Sequence, residues 1–277
     1  MRIDSHQHFW NYNSATHSWI NETMSVLRRN FTPKDLYPIL SSFGFDGCIA
    51  VEAHSSEQET EFLLRCAQEN KFIKGVVGWV DLSAPNVAER LHHFSQNTLL
   101  KGVRHLVQDE PNGFMLDPAF QNGISKLHDY GLTYDILIYP HQLKEANELV
   151  AAFPNQKFVL DHIAKPYIKT NSINAWQKDI ELLAQHQNLH CKISGMVTEA
   201  NWHSWTNTDF TPYLDVVFAC FGTDRIMFGS DWPVCLLAAN YGEMLQIIEN
   251  YIHPYPNAVQ EQLMGKNAAL FYNLNRS

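Results

Sequence analysis

The chain has 277 residues, 45% of them hydrophobic, and a formal net charge of −9 at pH 7. A chain this long buries a full core without disulfides or metals, and it suits an α/β barrel of about 250 residues. Acidic and basic residues are mixed along it, which excludes a basic nucleic-acid footprint and a polybasic membrane patch.

The first strand is read at 2–8, so early that no signal peptide is expected. It carries His6-Gln7-His8. Side chains two apart on a strand share a face, so both imidazoles can face a barrel axis and hold one divalent metal. Residues 9–46 exceed a minimal connection and carry Trp10, Trp19, Arg28 and Arg29; they predict a lid insertion with a helix at 33–42. Strand 2 spans 47–53, with Glu52 and His54 at its end as second-rank candidates. Ser56 and Glu59 then predict a capping box opening a helix at 57–69.

Strand 3 at 75–81 precedes a weaker helical pattern at 85–96. Strand 4 at 100–107 holds Arg104, which either clamps a substrate oxygen or forms a structural ion pair. Asp117-Pro118 opens a helix that stops at Gly131. Strand 5 covers 133–139 and is followed by a helix at 142–152. Strand 6 at 157–163 ends on His162, which is either a ligand or polarising donor or a hydrogen-bonded core histidine. A helix at 173–187 leads to strand 7 at 190–196, which holds Lys192. Thr211-Pro212 starts a helix that stops at Gly222, and strand 8 at 225–231 ends on Asp231. That carboxylate is either an Asx cap before Pro233 or a group able to take both a metal and a proton. Helices at 241–252 and 257–272 close the chain.

Eight β-then-α units without a G-x-G-x-x-G or G-K-[ST] loop predict one α/β domain over 1–277, a single (β/α)8 TIM barrel. Closing the barrel sets strand 8 beside strand 1, which brings Asp231 to His6 and His8 at the end where barrel enzymes keep their active sites. Trp10, Tyr139 and Trp232 are placed to wall the pocket. The absence of a G-x-S-x-G elbow argues against a serine nucleophile. Five cysteines without a C-x-x-C pair, and no apolar run of transmembrane length, predict a reduced cytoplasmic protein. The sequence sets no oligomeric state.

His6-x-His8-Phe9-Trp10, Lys101-Gly102-Val103-Arg104, Leu160-Asp161-His162-x-x-Lys165-Pro166, Lys192-x-Ser194-Gly195, Phe228-Gly229-Ser230-Asp231-Trp232-Pro233 and Gly265-Lys266-Asn267-Ala268-Ala269 together resemble the lactonase branch of the amidohydrolase superfamily, colinearly over the whole chain. The resemblance implies a metal-dependent-hydrolase type of barrel that opens sugar-acid lactones, such as fuconolactone or rhamnonolactone, or pyrone-dicarboxylate. It also implies His6, His8, His162 and Asp231 as metal ligands, Arg104 as the arginine associated with substrate, and a small-molecule lactone as partner. One departure stands out: strand 5 ends Ile138-Tyr139-Pro140 before His141, where many mononuclear members carry a histidine. A metal-free mechanism therefore stays open beside the divalent ion, zinc by preference, that a His-His-carboxylate set favours.

The expected reaction is water attack on the lactone carbonyl with Asp231 as acid/base and Arg104, His162 or the metal at the oxyanion. Non-oxidative decarboxylation within the same superfamily, and a non-catalytic sugar- or metal-binding barrel, are the alternatives.

Overall fold

Each short apolar run becomes a strand because it can be buried on both faces, between the barrel interior and a returning helix. The computed structural model describes residues 1–274, so 275–277 of the expected domain lie outside it. The strands are β1 (Ile3–Gln7), β2 (Gly47–Val51), β3 (Ile73–Gly78), β4 (Leu100–His105), β5 (Thr133–Ile136), β6 (Phe158–Leu160), β7 (Leu189–Ile193) and β8 (Ile226–Phe228). All pair in parallel and in chain order. Past the strand ends the ring is completed by backbone bonds, from His8 N to Trp232 O at 2.7 Å and from Asp231 N to His6 O at 2.8 Å.

The helices are α1 (Pro33–Ser42), α2 (Glu57–Glu69), α3 (Val87–Ser95), α4 (Pro118–Leu127), α5 (Leu143–Ala152), α6 (Asn174–Leu183), α7 (Met196–Glu199), α8 (Asn207–Phe221), α9 (Tyr241–Ile252), α10 (Asn257–Glu261) and α11 (Asn267–Phe271). Among the described residues none is long and apolar enough to cross a membrane. The five cysteines carry free thiols.

Three expected local features differ in detail from the sequence pattern. Helix α8 starts at Asn207, ahead of Thr211-Pro212, because Asp209 accepts from Thr206 N at 2.7 Å and caps the earlier turn. The capping box at α2 is half formed. Ser56 Oγ accepts from Glu59 N at 3.1 Å, but the Glu59 carboxyl turns inward to Ala53 N, and burial raises its pKa to about 8. The expected helix over 257–272 is broken by a π turn at Gln262–Lys266. There Gly265 lies against β1: a Cβ on it would sit 2.4 Å from Met1 O and 2.6 Å from Ile3 N. The glycine lets the closing segment seal the N-terminal end of the barrel.

Inside the barrel, Ile3, Ile49, Val51, Val77, Val159 and Met227 form an apolar cluster that packs on Phe271 and Tyr272 from below. A register shift between Asp4 and Gln7 interrupts the period-2 alternation of β1. It turns His6 toward the interior three residues after the inward-facing Ile3.

Candidate active site

Above the apolar floor the barrel is filled with charge. Lys192 Nζ lies 2.5 Å from Asp135 Oδ2 and 3.0 Å from Asp161 Oδ1, and Tyr272 OH donates to Asp135 Oδ2 at 2.8 Å from below. Arg104 is pinned by Glu52 Oε1 at 3.0 Å and Asp161 Oδ2 at 3.1 Å, and it also donates to the Glu52 backbone carbonyl. His6 sits on this layer: Asp161 Oδ1 and Lys192 Nζ reach its Nδ1 at 3.3 and 3.1 Å, and Arg104 Nη1 reaches its Nε2 at 3.2 Å. Burial would raise the Asp161 pKa, but His6 and Lys192 hold it well below the usual range. Burial, helped by Lys192 and opposed by Asp161, lowers His6 well below 6.5, so its imidazole is neutral.

The next layer faces the mouth. Asp231 Oδ1 is 3.3 Å from His8 Nε2, 3.9 Å from His162 Nε2 and 4.0 Å from His6 Nε2. Burial opposes ionisation of Asp231, yet His162 and His8 lower its pKa, so it is a carboxylate at neutral pH. The four residues read from three distant parts of the sequence therefore meet at one point. Asp161 joins them from below as a functional residue that sequence reasoning missed; its signal is a carboxylate directly after the apolar run Phe158-Val159-Leu160, where burial calls for an internal cation.

Strands 6 and 8 end earlier than expected, at Leu160 and Phe228, so His162 and Asp231 sit on turns. Residues His162, Ile163, Ala164 and Lys165 all have φ between 48° and 60°, a left-handed turn without a glycine. Such backbone is disfavoured by about 1–2 kcal/mol per residue, so packing must impose it. Ile163 and Ala164 are fully buried, Trp176 Nε1 donates to Ile163 O at 2.8 Å, and Lys165 N closes on His162 O at 2.8 Å. The turn points His162 at the axis and Lys165 at Gln108 Oε1, 2.6 Å away.

The His162 ring fits only because residue 195 lacks a Cβ. At Gly195, with φ +62°, a Cβ would lie 2.5 Å from His162 Nδ1 and 2.7 Å from its Cγ. Gly195→Ala should leave a folded protein with a displaced His162. A misplacement near 1 Å is worth about a hundredfold in rate, so kcat should fall on that order. Steady-state kinetics beside a thermal melt checks this; an unchanged kcat would remove His162 from the reaction.

The cavity above these groups is lined by His8, Trp19, Ala53, Arg104, Lys165 and Asp231, with Gln108, Asp109, His162 and Thr198 among its polar walls. Trp10 and Trp232 are buried core residues that pack on Phe31, and they do not line it. Tyr139 stays behind Lys165, whose ammonium is 5.4 Å from its ring centroid. Large aromatics beside strand ends gain more from core burial than from facing a wet mouth. From the insertion it is Trp19 that reaches the cavity wall, anchored by Nε1 to Ala53 O at 3.2 Å. Arg28 and Arg29 do not reach in: Arg28 bonds Ile20 O, and Arg29 lies over Phe31 and 3.7 Å from Asp35. His54 neighbours His17 outside the cavity, with ring centroids 6.2 Å apart.

Residues 3–274 match the amidohydrolase family. The chain belongs to that family. It is therefore a hydrolase by family, with a solved relative that fits it closely. An amidohydrolase from Burkholderia multivorans with bound zinc superposes with a TM-score of 0.96 at 38% identity, covering 99% of this chain and all of that one. An L-fucono-1,5-lactonase from Burkholderia multivorans is 37% identical to this amidohydrolase, over 99% of its chain and 96% of the relative's. An L-fucono-1,5-lactonase from Burkholderia ambifaria is 32% identical, again over 99% and 96%.

The amidohydrolase site has the chemistry of a divalent-metal centre. The ligand atoms of His6, His8 and Asp231 lie within 4.8 Å of one another, all buried. His8 Nδ1 donates to Val51 O at 2.8 Å, which fixes its tautomer and leaves the Nε2 lone pair facing Asp231. Two imidazoles and a carboxylate fit such an ion, although an Arg104 N–H already points at His6 Nε2.

Proposed function

We propose that this amidohydrolase opens the ring of an uncharged sugar-acid lactone by attack of water. The reading rests on one observation above the others: an ionised, buried Asp231 carboxylate facing the cavity within 4.0 Å of three imidazoles. The names of its full-length relatives, L-fucono-1,5-lactonases, supply the substrate class.

His6, His8 and Asp231 would hold a divalent ion; when bound, it acts as a Lewis acid and lowers the pKa of water toward about 7. Asp231 takes a proton as the water oxygen bonds to the lactone carbonyl carbon. Charge builds on the carbonyl oxygen, where His162 and the remaining free N–H of Arg104 stand as donors. Asp231 then returns the proton to the ring oxygen as the carbon–oxygen bond breaks, which yields the open hydroxy acid.

Both cations that line the cavity already have partners: Arg104 has Glu52 and Asp161, and Lys165 has Gln108. Polar walls of this kind suit hydroxyl groups better than a free carboxylate. A panel of aldonolactones and pyrone-dicarboxylate, followed by pH indicator with metal content measured in parallel, tests the reading. Acid release from the uncharged lactones, reduced by a chelator, is expected. Release of CO2 from an aromatic acid, without action on any lactone, would make the protein a decarboxylase.

A further inference from the structure

Three imidazoles surround Asp231, and the partner of each far nitrogen decides what the near nitrogen can do. For His8 that partner is a carbonyl, Val51 O, so Nδ1 carries the proton and Nε2 presents a lone pair. For His162 it is a hydroxyl: Ser194 Oγ lies 2.8 Å from Nδ1. Ser194 is fully buried on the segment that follows β7. Among the described residues its hydroxyl has no other hydrogen-bond partner.

A buried hydroxyl with one neighbour gains most by donating, because an orphaned buried donor is costlier than an orphaned lone pair. Ser194 therefore donates to Nδ1, and the proton of the neutral ring sits on Nε2. Its Nε2–H faces the cavity 3.9 Å from Asp231 Oδ1, too far for a hydrogen bond to it. Gly195 supports the same arrangement by leaving room for the ring edge that meets Ser194.

We propose that Ser194 is a positioning residue that locks His162 in its Nε2–H form, making His162 a hydrogen-bond donor to the carbonyl oxygen of the substrate and not a metal ligand. The two histidines flanking Asp231 are thereby set to opposite roles, His8 as acceptor or ligand and His162 as donor. The oxyanion part of this inference rests on the lactonase reading; the tautomer does not.

The test uses the full chain with 15N-labelled histidine and long-range proton–nitrogen correlation spectra, with and without added zinc. The wild-type spectrum should place the His162 proton on Nε2 in both states. Ser194→Ala should shift it toward Nδ1 and lower kcat by about ten- to a hundredfold with KM within threefold, since an oxyanion donor acts in the transition state. Ser194→Thr, which keeps the hydroxyl, should restore both. A His162 proton on Nδ1 in the wild type, or a His162 Nε2 resonance moved by zinc coordination, overturns the proposal. So does a Ser194→Ala protein with unchanged tautomer and kcat. An enzyme that opens no lactone while keeping the Nε2–H form fails the lactonase reading and leaves the tautomer assignment standing.

Discussion

Asp231→Asn is expected to lower kcat by about 10²–10⁴-fold, the usual worth of general acid–base catalysis. Asparagine keeps nearly the same shape, and its amide N–H can donate to the His8 Nε2 lone pair, so the fold and KM should change little. It cannot accept the proton of attacking water, the task for which the lowered pKa of Asp231 keeps the carboxylate ionised at neutral pH. The same substitution weakens the His6–His8–Asp231 ligand set, so metal content should be measured beside kcat. A loss that exceeds 10⁴-fold together with an emptied site would show both contributions at once. A folded, metal-replete Asp231→Asn enzyme that keeps most of its rate would transfer the proton step to another group and end the mechanism proposed above.

Arg104→Met should damage the protein in two ways that can be separated. Arg104 is 2% exposed and bonded to Glu52 and Asp161, so its removal strands the Glu52 carboxylate inside the barrel and leaves Asp161 to Lys192 and His6. Breaking a buried pair from one side costs about 3–5 kcal/mol, and in a chain of this size that lowers Tm by roughly 10 °C. Adding Glu52→Gln should recover part of the loss, because the stranded charge at that position is gone; a double-mutant cycle reads the coupling. The activity loss is expected in kcat more than in KM, since Arg104 also supports His6 through the 3.2 Å contact to its Nε2. An unchanged Tm with a KM raised tenfold or more would instead make Arg104 a substrate clamp.

The alternation of Val- and Ile-rich runs with amphipathic helices determined the barrel, because burial on both faces leaves a strand few polar positions. It also pointed His6, His8, His162 and Asp231 to one end of the barrel, since the histidine pair comes late in the first strand and His162 and Asp231 each follow an apolar run. The tertiary structure alone decided what those residues do. The register shift in β1 turns His6 inward, and no residue between Asp4 and Gln7 announces it. The left-handed turn at 162–165 has no glycine or asparagine to signal it; buried Ile163 and Ala164 and the Trp176 bond impose it from outside the segment. Arg104 reads equally well as clamp or ion pair until Glu52 and Asp161, 52 and 57 residues away, close on it. Trp10 and Trp19 look alike in sequence, yet one packs in the core and the other walls the cavity. Local pattern records which face of an element is apolar, whereas the partner of a buried charge or ring is fixed only when the barrel closes.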